Sequence, residues 1–524
     1  MRGSLNAVAA DPGEPLRGRF GAPPFPGDLD WLNTGGRRLT LDDLEGKVVL
    51  LDFWTYGCIN CIHIIPDLKR LEDKWGDALV VIGVHSAKFE QEGRTENIRR
   101  LVLRYELEHP VVNDKDFEVW REYGARAWPT LVLIDPAGDI VGAASGEGHH
   151  DLLDGLIARL VATFEAEGAL DRTPLNLPVE KEAVADTPLL YPGKVLADPA
   201  RDRLFIADTN HHRIVVTDLE GRVNTVIGGP HKGLANGHFE AARFFMPHGL
   251  ALADANTLYV ADTENHVIRR VDLAARTVST AAGTGEQVYQ RFNDGLADEL
   301  GLNSPWDVLW HDGWLYIAMA GQHQVWRLDP ARGHLEEYAG TRREELKDGP
   351  RLRAGLNQPS GLATDGAYLY IADSEASAIR RVSFEAGDLD TLVGTGLFDF
   401  GDRDGRGDEV RLQHPLGVAV WPDADGATRL LLADTYNGKI KRLDPGTRQV
   451  TTLQASIGVL DEPGGLSVRD GKAWIADTNH HAVRVLDLAS GQLRRLTLSD
   501  PDGLLGSGAS PTSDDASVAG TGTP

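Results

Sequence analysis

The sequence predicts an α/β domain followed by an all-β propeller of six blades. At 524 residues the chain is too long for one ordinary hydrophobic core, so two or more domains are expected. In the first third, strand-like apolar runs alternate with helix-like patterns. In the remainder, the motif Ala-Asp-Thr or Ala-Asp-Ser recurs at spacings of 43 to 61 residues, counting one degenerate copy, and this period is typical of propeller blades.

Changes in composition divide the chain into five parts. They are an irregular N-terminal arm (residues 1–27), the α/β domain (28–170), a linker (171–187), the propeller (188–498) and a disordered tail (499–524). The arm is rich in proline and glycine, and the linker contains Pro174 and Pro178 among mixed charges. The tail lacks an apolar pattern, so we expect it to be disordered.

The propeller prediction depends on six copies of one motif. Five copies keep the aspartate, and the third copy has a methionine in its place. The six positions are Asp208, Asp262, Met319, Asp373, Asp434 and Asp477. Each period contains four strand-like segments, which begin after a Pro-x-Gly-like segment such as Pro247-His248-Gly249. Six periods therefore predict six blades, whose radial arrangement leaves only short sheet edges.

The repeated aspartate has a structural explanation. A carboxylate at the end of a strand can accept hydrogen bonds from the backbone N–H groups of its turn. The motif and its spacing resemble NHL repeats, which form β-propellers. Six-bladed relatives include lyases and lactonases with ligands in the central channel, and His248 is the residue that we would examine for such a role.

The only two cysteines of the chain, Cys58 and Cys61, form a C-x-x-C motif. The apolar run from Lys47 to Trp54 precedes them and is typical of a central strand. Apolar residues at spacings of three and four follow, which predicts a helix beginning at Cys58. The positive end of that helix favours a thiolate, and Cys61 lies one turn further along. This geometry suits attack by Cys58 as nucleophile and resolution by Cys61.

A zinc site is the main competing interpretation of the C-x-x-C motif. Structural zinc needs two more ligands, but the sequence has no further cysteine, and His63 lies too close to complete a standard site. We therefore expect no metal and no other cofactor.

The α/β domain resembles the thioredoxin-like family in four further landmarks. They are Asp52, Trp54, Pro66 and Pro129. The resemblance implies that Pro129 is a cis-proline packed beside the reactive sulfur. It also implies that Asp52 accepts a proton from the resolving cysteine, and it places Trp54 among the site residues.

The segment between the cysteines and Pro129 is similar to that of membrane-anchored thiol reductases and peroxiredoxins. A peroxiredoxin needs the pattern Pro-x-x-x-Thr-x-x-Cys. Thr55 and Cys58 fit this pattern, but Leu51 replaces its proline, so a peroxiredoxin-like peroxidase is a less favoured alternative. Ile59-Asn60 replaces the Gly-Pro of thioredoxin, and this pair tunes the reduction potential, so the direction of electron flow stays open.

Charge and hydropathy restrict the partners and the location. A formal charge of −25, with no run of lysine and arginine, argues against nucleic acid as a partner. No apolar stretch approaches the roughly 18 to 20 residues that span a bilayer. The segment from Met1 to Pro26 lacks the apolar region of a signal peptide. We therefore expect a cytoplasmic protein that binds neither nucleic acid nor membrane.

Both halves together resemble the family of NHL repeat-containing protein 2 and its bacterial relatives. The segment Trp-Thr-Tyr-Gly-Cys-Ile-Asn-Cys-Ile-His, which begins at Trp54, carries much of this resemblance. Gly57 stands where animal members have an additional cysteine, so no role of that thiol is transferred to this chain.

Two functions of different classes are consistent with these patterns. The first is a thiol-disulfide oxidoreductase, in which Cys58 and Cys61 are the redox dithiol, a dithiol reductant recycles them, and the propeller binds or selects a protein or peptide client. The second is a non-catalytic interaction scaffold, in which the propeller recruits a partner and the thioredoxin-like domain is structural.

Overall fold

The structure, a computed structural model, describes Leu5 and residues 15–180, 187–289, 294–422 and 426–506. Within these ranges the chain forms one mixed sheet with helices, followed by six antiparallel sheets. The predicted fold class, a thioredoxin-like α/β domain followed by a six-bladed propeller, is confirmed.

The α/β domain contains seven strands in its described part. They are β1 (Phe20–Gly21), β2 (Trp31–Leu32), β3 (Val48–Trp54), β4 (Leu79–His85), β5 (Val111–Asn113), β6 (Thr130–Ile134) and β7 (Asp139–Ser145), in the sheet order β1-β7-β6-β3-β4-β5-β2. The helices are α1 (Ile59–His63), α2 (Ile65–Trp75), α3 (Thr95–Arg104), α4 (Glu118–Tyr123) and α5 (His150–Ala166). None of the described helices is long and apolar enough to cross a membrane.

Strand β3 brings the cysteines to the edge of the core. All seven of its residues are buried, and it pairs in parallel with β4 and antiparallel with β6. A strand covered on both faces requires the continuous apolar run seen in the sequence. The helix predicted after the cysteines is divided in two, since α1 ends at His63 and α2 begins at Ile65 with Pro66 in its first turn. Proline has no N–H to donate, so it fits the start of a helix.

Three segments that were expected to be irregular make ordered contacts. In the arm, β1 pairs with β7. In the linker, Leu175 and Leu177 pack against the core of the α/β domain. In the tail, Ser499 O accepts a hydrogen bond from Val223 N at 2.8 Å, and Leu505 packs against blade residues. Composition does not reveal such contacts because they depend on surfaces distant in sequence. Positions 1–4, 6–14, 181–186 and 507–524 of these segments lie outside the described residues.

Each of the six blades contains four main antiparallel strands, which are counted from the innermost strand outward. Blade 1 contains β8 (Val195–Asp198), β9 (Arg203–Asp208), β10 (Arg213–Thr217) and β11 (Val223–Ile227). Blade 2 contains β12 (Gly237–His238), β13 (Pro247–Leu252), β14 (Thr257–Asp262), β15 (Val267–Asp272) and β16 (Thr277–Ala282). Blade 3 contains β17 (Asp294–Leu296), β18 (Pro305–His311), β19 (Trp314–Met319), β20 (Gln324–Asp329) and β21 (His334–Ala339). Blade 4 contains β22 (Gly349–Pro350), β23 (Pro359–Thr364), β24 (Tyr368–Asp373), β25 (Ala378–Ser383) and β26 (Asp388–Val393). Blade 5 contains β27 (Gly405–Arg406), β28 (Gly417–Pro422), β29 (Thr428–Asp434), β30 (Lys439–Asp444) and β31 (Gln449–Thr452). Blade 6 contains β32 (Pro463–Arg469), β33 (Lys472–Asp477), β34 (Ala482–Asp487) and β35 (Leu493–Arg495). The short strands β12, β17, β22 and β27 add a fifth, outer strand to blades 2 to 5.

The repeated aspartate accepts a backbone hydrogen bond, but the donor is not in its own turn. Asp262 Oδ1 accepts a hydrogen bond from Phe245 N at 2.7 Å. Phe245 lies in the loop that leads into β13, the first main strand of the same blade. Equivalent bonds reach Asp208, Asp373, Asp434 and Asp477. The first two strands of a blade lie side by side, which places the end of the second strand beside the start of the first. The aspartate therefore fixes the leading loop.

The ring closes without an exchange of strands, since the first blade uses β8–β11 and the last uses β32–β35. Side-chain hydrogen bonds join these blades instead, together with the backbone hydrogen bonds that Ser499 forms with Gly221 and Val223. Thr478 Oγ1 donates to Pro192 O at 2.9 Å, and Tyr191 N donates to His481 Nδ1 at 3.1 Å. The hydroxyl bond recurs at four further joints, from Thr209, Thr263, Ser374 and Thr435. At the joint between blades 3 and 4, Ala320 occupies the hydroxyl position.

Candidate functional site

Cys58 and Cys61 are free thiols at the start of α1. Cys58 is the residue before the helix and is half-buried, whereas Cys61 is fully buried. Cys61 N donates to Cys58 O at 3.0 Å, and the two side chains are within hydrogen-bonding reach. The pKa of the Cys61 thiol is raised well above its usual range. Burial is the largest cause, and the neighbouring Cys58 and the charge of Asp52 add to it. Cys58 is therefore the accessible thiol, and Cys61 needs a base.

Asp52, for which the resemblance implies the role of proton acceptor, lies close enough to Cys61 for its charge to act on that thiol. It lies in β3, and burial raises the pKa of its carboxyl to about 7, opposed by His109. Its Oδ1 atom is buried and has no hydrogen-bond partner among the described residues. A carboxyl that titrates near neutral pH can accept a proton from a nearby thiol and release it again.

The other residues predicted for the site surround the same sulfurs. Trp54 is buried in a cluster that also contains Cys61. The Trp128–Pro129 peptide bond is cis, and Trp128 lines the same cavity as Cys58. The structure therefore brings all five predicted site residues into one region.

Cys58 faces a cavity of about 210 Å³ between the two domains. The α/β wall of this cavity includes Asn60, Lys88, Arg126, Ala127 and Trp128. The propeller wall includes His323, Glu344, Gln358, Glu375, Leu397 and Phe398. The propeller thus covers the dithiol and leaves this cavity in front of the outer sulfur.

Gln358 of the propeller holds the peptide groups on both sides of Cys58. Ile59 N donates to Gln358 Oε1 at 3.0 Å, and Gln358 Nε2 donates to Gly57 O at 2.9 Å. Gln358 N in turn donates to His323 Nδ1 at 3.1 Å. A propeller side chain therefore fixes the backbone on either side of the nucleophile.

Glu92 holds the same loop from the α/β side. Its Oε1 accepts from Gly57 N at 2.8 Å, and its Oε2 accepts from the Thr55 hydroxyl at 2.6 Å and from Lys88 N and Phe89 N at 2.9 Å. Burial raises the pKa of Glu92 to about 7, opposed by these hydrogen bonds. A Cβ atom at Gly57 would lie 2.7 Å from Glu92 Oε1, so any side chain there would displace Glu92.

Six propeller residues, which we call the channel ring, surround the end of the central channel that faces the α/β domain. Each precedes the proline that leads into a blade, and all have φ between +46° and +62°, at Tyr191, Met246, Ser304, Gln358, His414 and Glu462. Left-handed backbone is uncommon in residues other than glycine and concentrates at functional sites. Ser304 Oγ lies 2.7 Å from His63 Nε2, and the Tyr56 hydroxyl donates to Glu462 at 3.2 Å.

Sequence reasoning did not identify Glu92, Gln358 or the rest of the channel ring. A signal for the ring is present, because the proline recurs in all six blades while the residue before it is different in each. Glu92 has no comparable signal, since it lies in an irregular segment without a repeated pattern.

The two histidines singled out in the sequence are held by neighbouring side chains. His63 is buried, with Nδ1 2.9 Å from Glu147 Oε2 and Nε2 beside Ser304. His248 stacks on Trp306 with ring centroids 4.5 Å apart, and burial lowers its pKa well below the usual range. Among the described residues, no three or more His, Cys, Asp or Glu side chains are grouped to hold a metal ion.

Comparison with known proteins covers both domains. A family model described as thioredoxin-like matches residues 46–140, and the NHL repeat model matches residues 244–270. NHL repeat-containing protein 2 of Bos taurus is 42% identical over 511 residues, which cover 89% of this chain and 70% of that protein. Protein SUPPRESSOR OF QUENCHING 1, chloroplastic, of Arabidopsis thaliana is 43% identical over 501 residues, 90% of this chain and 47% of that protein. Thiol-disulfide oxidoreductase ResA of Halalkalibacterium halodurans is 35% identical over 112 residues, 21% of this chain and 61% of that protein.

The similarity to the bovine protein therefore extends through the dithiol and the propeller alike. This chain belongs to the family of NHL repeat-containing protein 2.

Proposed function

We propose that this protein is a thiol-disulfide oxidoreductase in which Cys58 and Cys61 are the redox dithiol. The observation that carries the proposal is the position of Cys58, which faces a cavity while Cys61 and Asp52 lie buried behind it. The similarity of the α/β domain to a thiol-disulfide oxidoreductase supports it.

The exchange begins when the Cys58 thiolate attacks one sulfur of a substrate disulfide. The substrate S–S bond breaks, a mixed disulfide forms on Cys58, and the departing thiolate takes a proton from solvent. Cys61 then gives its proton to Asp52 and attacks the Cys58 sulfur. This step forms the Cys58–Cys61 disulfide and releases the second substrate thiol, so two electrons have passed to the substrate. A dithiol reductant restores the two cysteines.

A second candidate function is a non-catalytic scaffold. It is favoured by the propeller side chains that cover Cys58, and by a depression of about 660 Å³ at the opposite end of the channel. In this function the propeller binds a protein or peptide client through that open end, and the thiols play no part. For either function, a cytoplasmic location and the lack of nucleic acid and membrane partners stay predictions.

Reduction of hydroxyethyl disulfide by the protein, with dithiothreitol as the recycling dithiol, separates the two functions. We expect turnover above background for the wild type and background for Cys58→Ser. In a separate incubation without dithiothreitol, the Cys61→Ser variant should accumulate a mixed disulfide that intact mass spectrometry detects. Equal background rates for the wild type and Cys58→Ser would contradict the oxidoreductase and favour the scaffold.

A further inference from the structure

We propose that the cavity in front of Cys58 binds a small disulfide with amino-acid head groups, of the cystine type, rather than a folded protein. This inference rests on the proposed function, because it names the substrate class of the same dithiol. It is carried by the size of the cavity, by the contacts that hold the cavity closed, and by two charged side chains on its opposite walls.

The size of the cavity limits what can reach Cys58. Its volume is about 210 Å³. A cavity of about 150 Å³ holds a benzene-sized molecule, and pockets for drug-sized ligands are about 300 to 1,000 Å³. One cysteine-sized half of a disulfide fits the available space while the other half remains at the opening. A surface loop of a folded protein would be too large to bring its disulfide to Cys58.

Buried contacts between the domains keep the cavity at this size. Lys88 Nζ lies 2.5 Å from Glu375 Oε2, and both side chains are only 5% exposed. Separation of the domains would leave these two charges without their partners. It would also break both hydrogen bonds between Gln358 and the backbone around Cys58. The closed arrangement is therefore the one that a substrate meets.

Two charged side chains on opposite walls remain available to a ligand. Arg126 is exposed in the loop before the cis-proline, and Glu344 lies on the propeller side. Within the part of the chain that the structure describes, neither side chain forms a hydrogen bond or an ion pair. The charge of Lys88, whose own ion pair is with Glu375, acts on Glu344 from across the cavity. A guanidinium binds a carboxylate, and a carboxylate binds an ammonium group. The pair therefore suits the two opposite charges of an amino-acid head group.

Part of the remaining cavity lining is apolar. Trp128 and Leu397 line it, together with Phe398, whose side chain is 70% exposed. An exposed aromatic ring beside a reactive thiol provides a contact surface for the methylene and sulfur atoms of a substrate. A cavity with two opposite charges and an apolar patch matches the composition of a cystine half.

Single-turnover oxidation of the reduced protein tests this proposal, with loss of free thiols as the readout. The probes are cystine, cystamine (which lacks the carboxylates), dithiodipropionate (which lacks the ammonium groups) and neutral hydroxyethyl disulfide. We expect cystine to react fastest, by on the order of tenfold, because it alone can form both charge-assisted hydrogen bonds.

Matched variants assign the two charges. Arg126→Gln should slow oxidation by cystine and dithiodipropionate by about tenfold and leave cystamine within about twofold. Glu344→Gln should slow cystine and cystamine and leave dithiodipropionate unchanged. Arg94→Gln, at an exposed arginine outside the cavity, is the control and should change none of the rates.

Three results would overturn the proposal. Equal rates for all four small disulfides, unchanged in both variants, would reject the substrate class while disulfide exchange itself stands. Faster oxidation by a disulfide-containing folded protein than by cystine would do the same. Failure of every disulfide to oxidise the dithiol would contradict the proposed function, and the substrate class with it.

Discussion

The two domains surround one dithiol in different ways. On the α/β side, Asp52 lies within a buried strand and Cys61 within a helix, so the groups assigned to the chemistry belong to the hydrophobic core. On the propeller side, Gln358 and Ser304 contact the dithiol segment from left-handed positions between strands. Core residues tolerate little change, whereas loop residues on a rigid scaffold vary more readily. The difference indicates that the reactivity of the thiols and the access to them can be changed separately.

The largest expected effect comes from the α/β side. Asp52→Asn keeps the shape of the side chain and removes the proposed base, so we expect resolution of the mixed disulfide to slow by about a hundredfold. Because Asp52 must be ionised to accept a proton, the wild-type rate should rise as the pH increases through about 7. Stopped-flow measurement of thiol release between about pH 5.5 and 8.5 checks both effects.

The control for this experiment is Asp73→Asn, at an exposed carboxylate of α2. It should retain the wild-type rate and the wild-type inflection. A pH profile for Asp52→Asn that keeps the inflection near 7 would show that another group accepts the proton.

A smaller effect is expected from the propeller side. Gln358→Leu removes both hydrogen bonds to the backbone around Cys58 and leaves a buried N–H and a buried C=O without partners. We expect alkylation of Cys58 by iodoacetamide to change by about tenfold, because the loop that presents the sulfur loses its fixed conformation. Gln358→Glu should show a smaller change, since it can still accept from Ile59 N.

Gln322→Leu is the matched control, because Gln322 is also a buried propeller glutamine and its Oε1 has no hydrogen-bond partner in the described ranges. It should leave the alkylation rate unchanged. An unchanged rate in Gln358→Leu as well would mean that the propeller does not influence Cys58.

The backbone of the channel ring depends on histidines of the neighbouring blades. Four backbone N–H groups of the channel ring donate to histidine Nδ1 atoms at 3.1 to 3.3 Å. These histidines are His212, His266, His323 and His481. Burial lowers the pKa of His481 to about 4, below the value of about 6.5 in an unfolded chain. Between these values the unfolded chain binds more protons, so this histidine lowers the free energy of unfolding as the pH falls below about 6.5.

His481→Ser tests this dependence at the joint that closes the ring. Serine has the same role at Ser377, whose hydroxyl accepts from His414 N at 3.2 Å. Between about pH 7.5 and 5, the variant should lose about 1 to 2 kcal/mol less stability than the wild type, measured by denaturant unfolding. The comparison with the wild type is necessary because buried carboxyls such as Asp52, with raised pKa values, act in the opposite direction. Parallel pH curves for the two proteins would contradict the assignment.

The smallest expected effect concerns the hydroxyl bonds between blades. Thr478→Val keeps the shape of the side chain and removes the bond to Pro192 O, so we expect a loss of about 1 kcal/mol in the free energy of unfolding. Thr451→Val, at a half-buried position of β31, should change stability by less than about 0.5 kcal/mol. Equal losses in both variants would show that the closing hydroxyl bond has no special role.

Local spacing made much of the α/β site predictable. Asp52, Cys58 and Cys61 lie within one strand and the helix after it, so sequence distance and spatial distance agree. The blade count was predictable for a related reason, since each repeat forms one sheet. Both predictions needed only contacts between near neighbours in the chain.

The contacts between the domains were not predictable in this way. Gln358 lies 301 positions from Gly57, and no pattern in either segment indicates that they meet. The donor to each repeated aspartate was assigned to the wrong loop for a similar reason, because it depends on how the first two strands of a blade lie together. Docking geometry arises from whole surfaces, which a repeat pattern does not describe.

The channel ring has a consequence for how such proteins diverge. Its six positions share one backbone conformation but hold six different side chains, from tyrosine to glutamate. Because the neighbouring blades fix the backbone there, a relative can exchange one ring side chain without refolding a sheet. The propeller backbone is then constant, and the six side chains of the channel ring are the part that can vary. A change in the propeller contacts around the dithiol segment would then require few mutations, and those mutations would lie far from the cysteines in sequence.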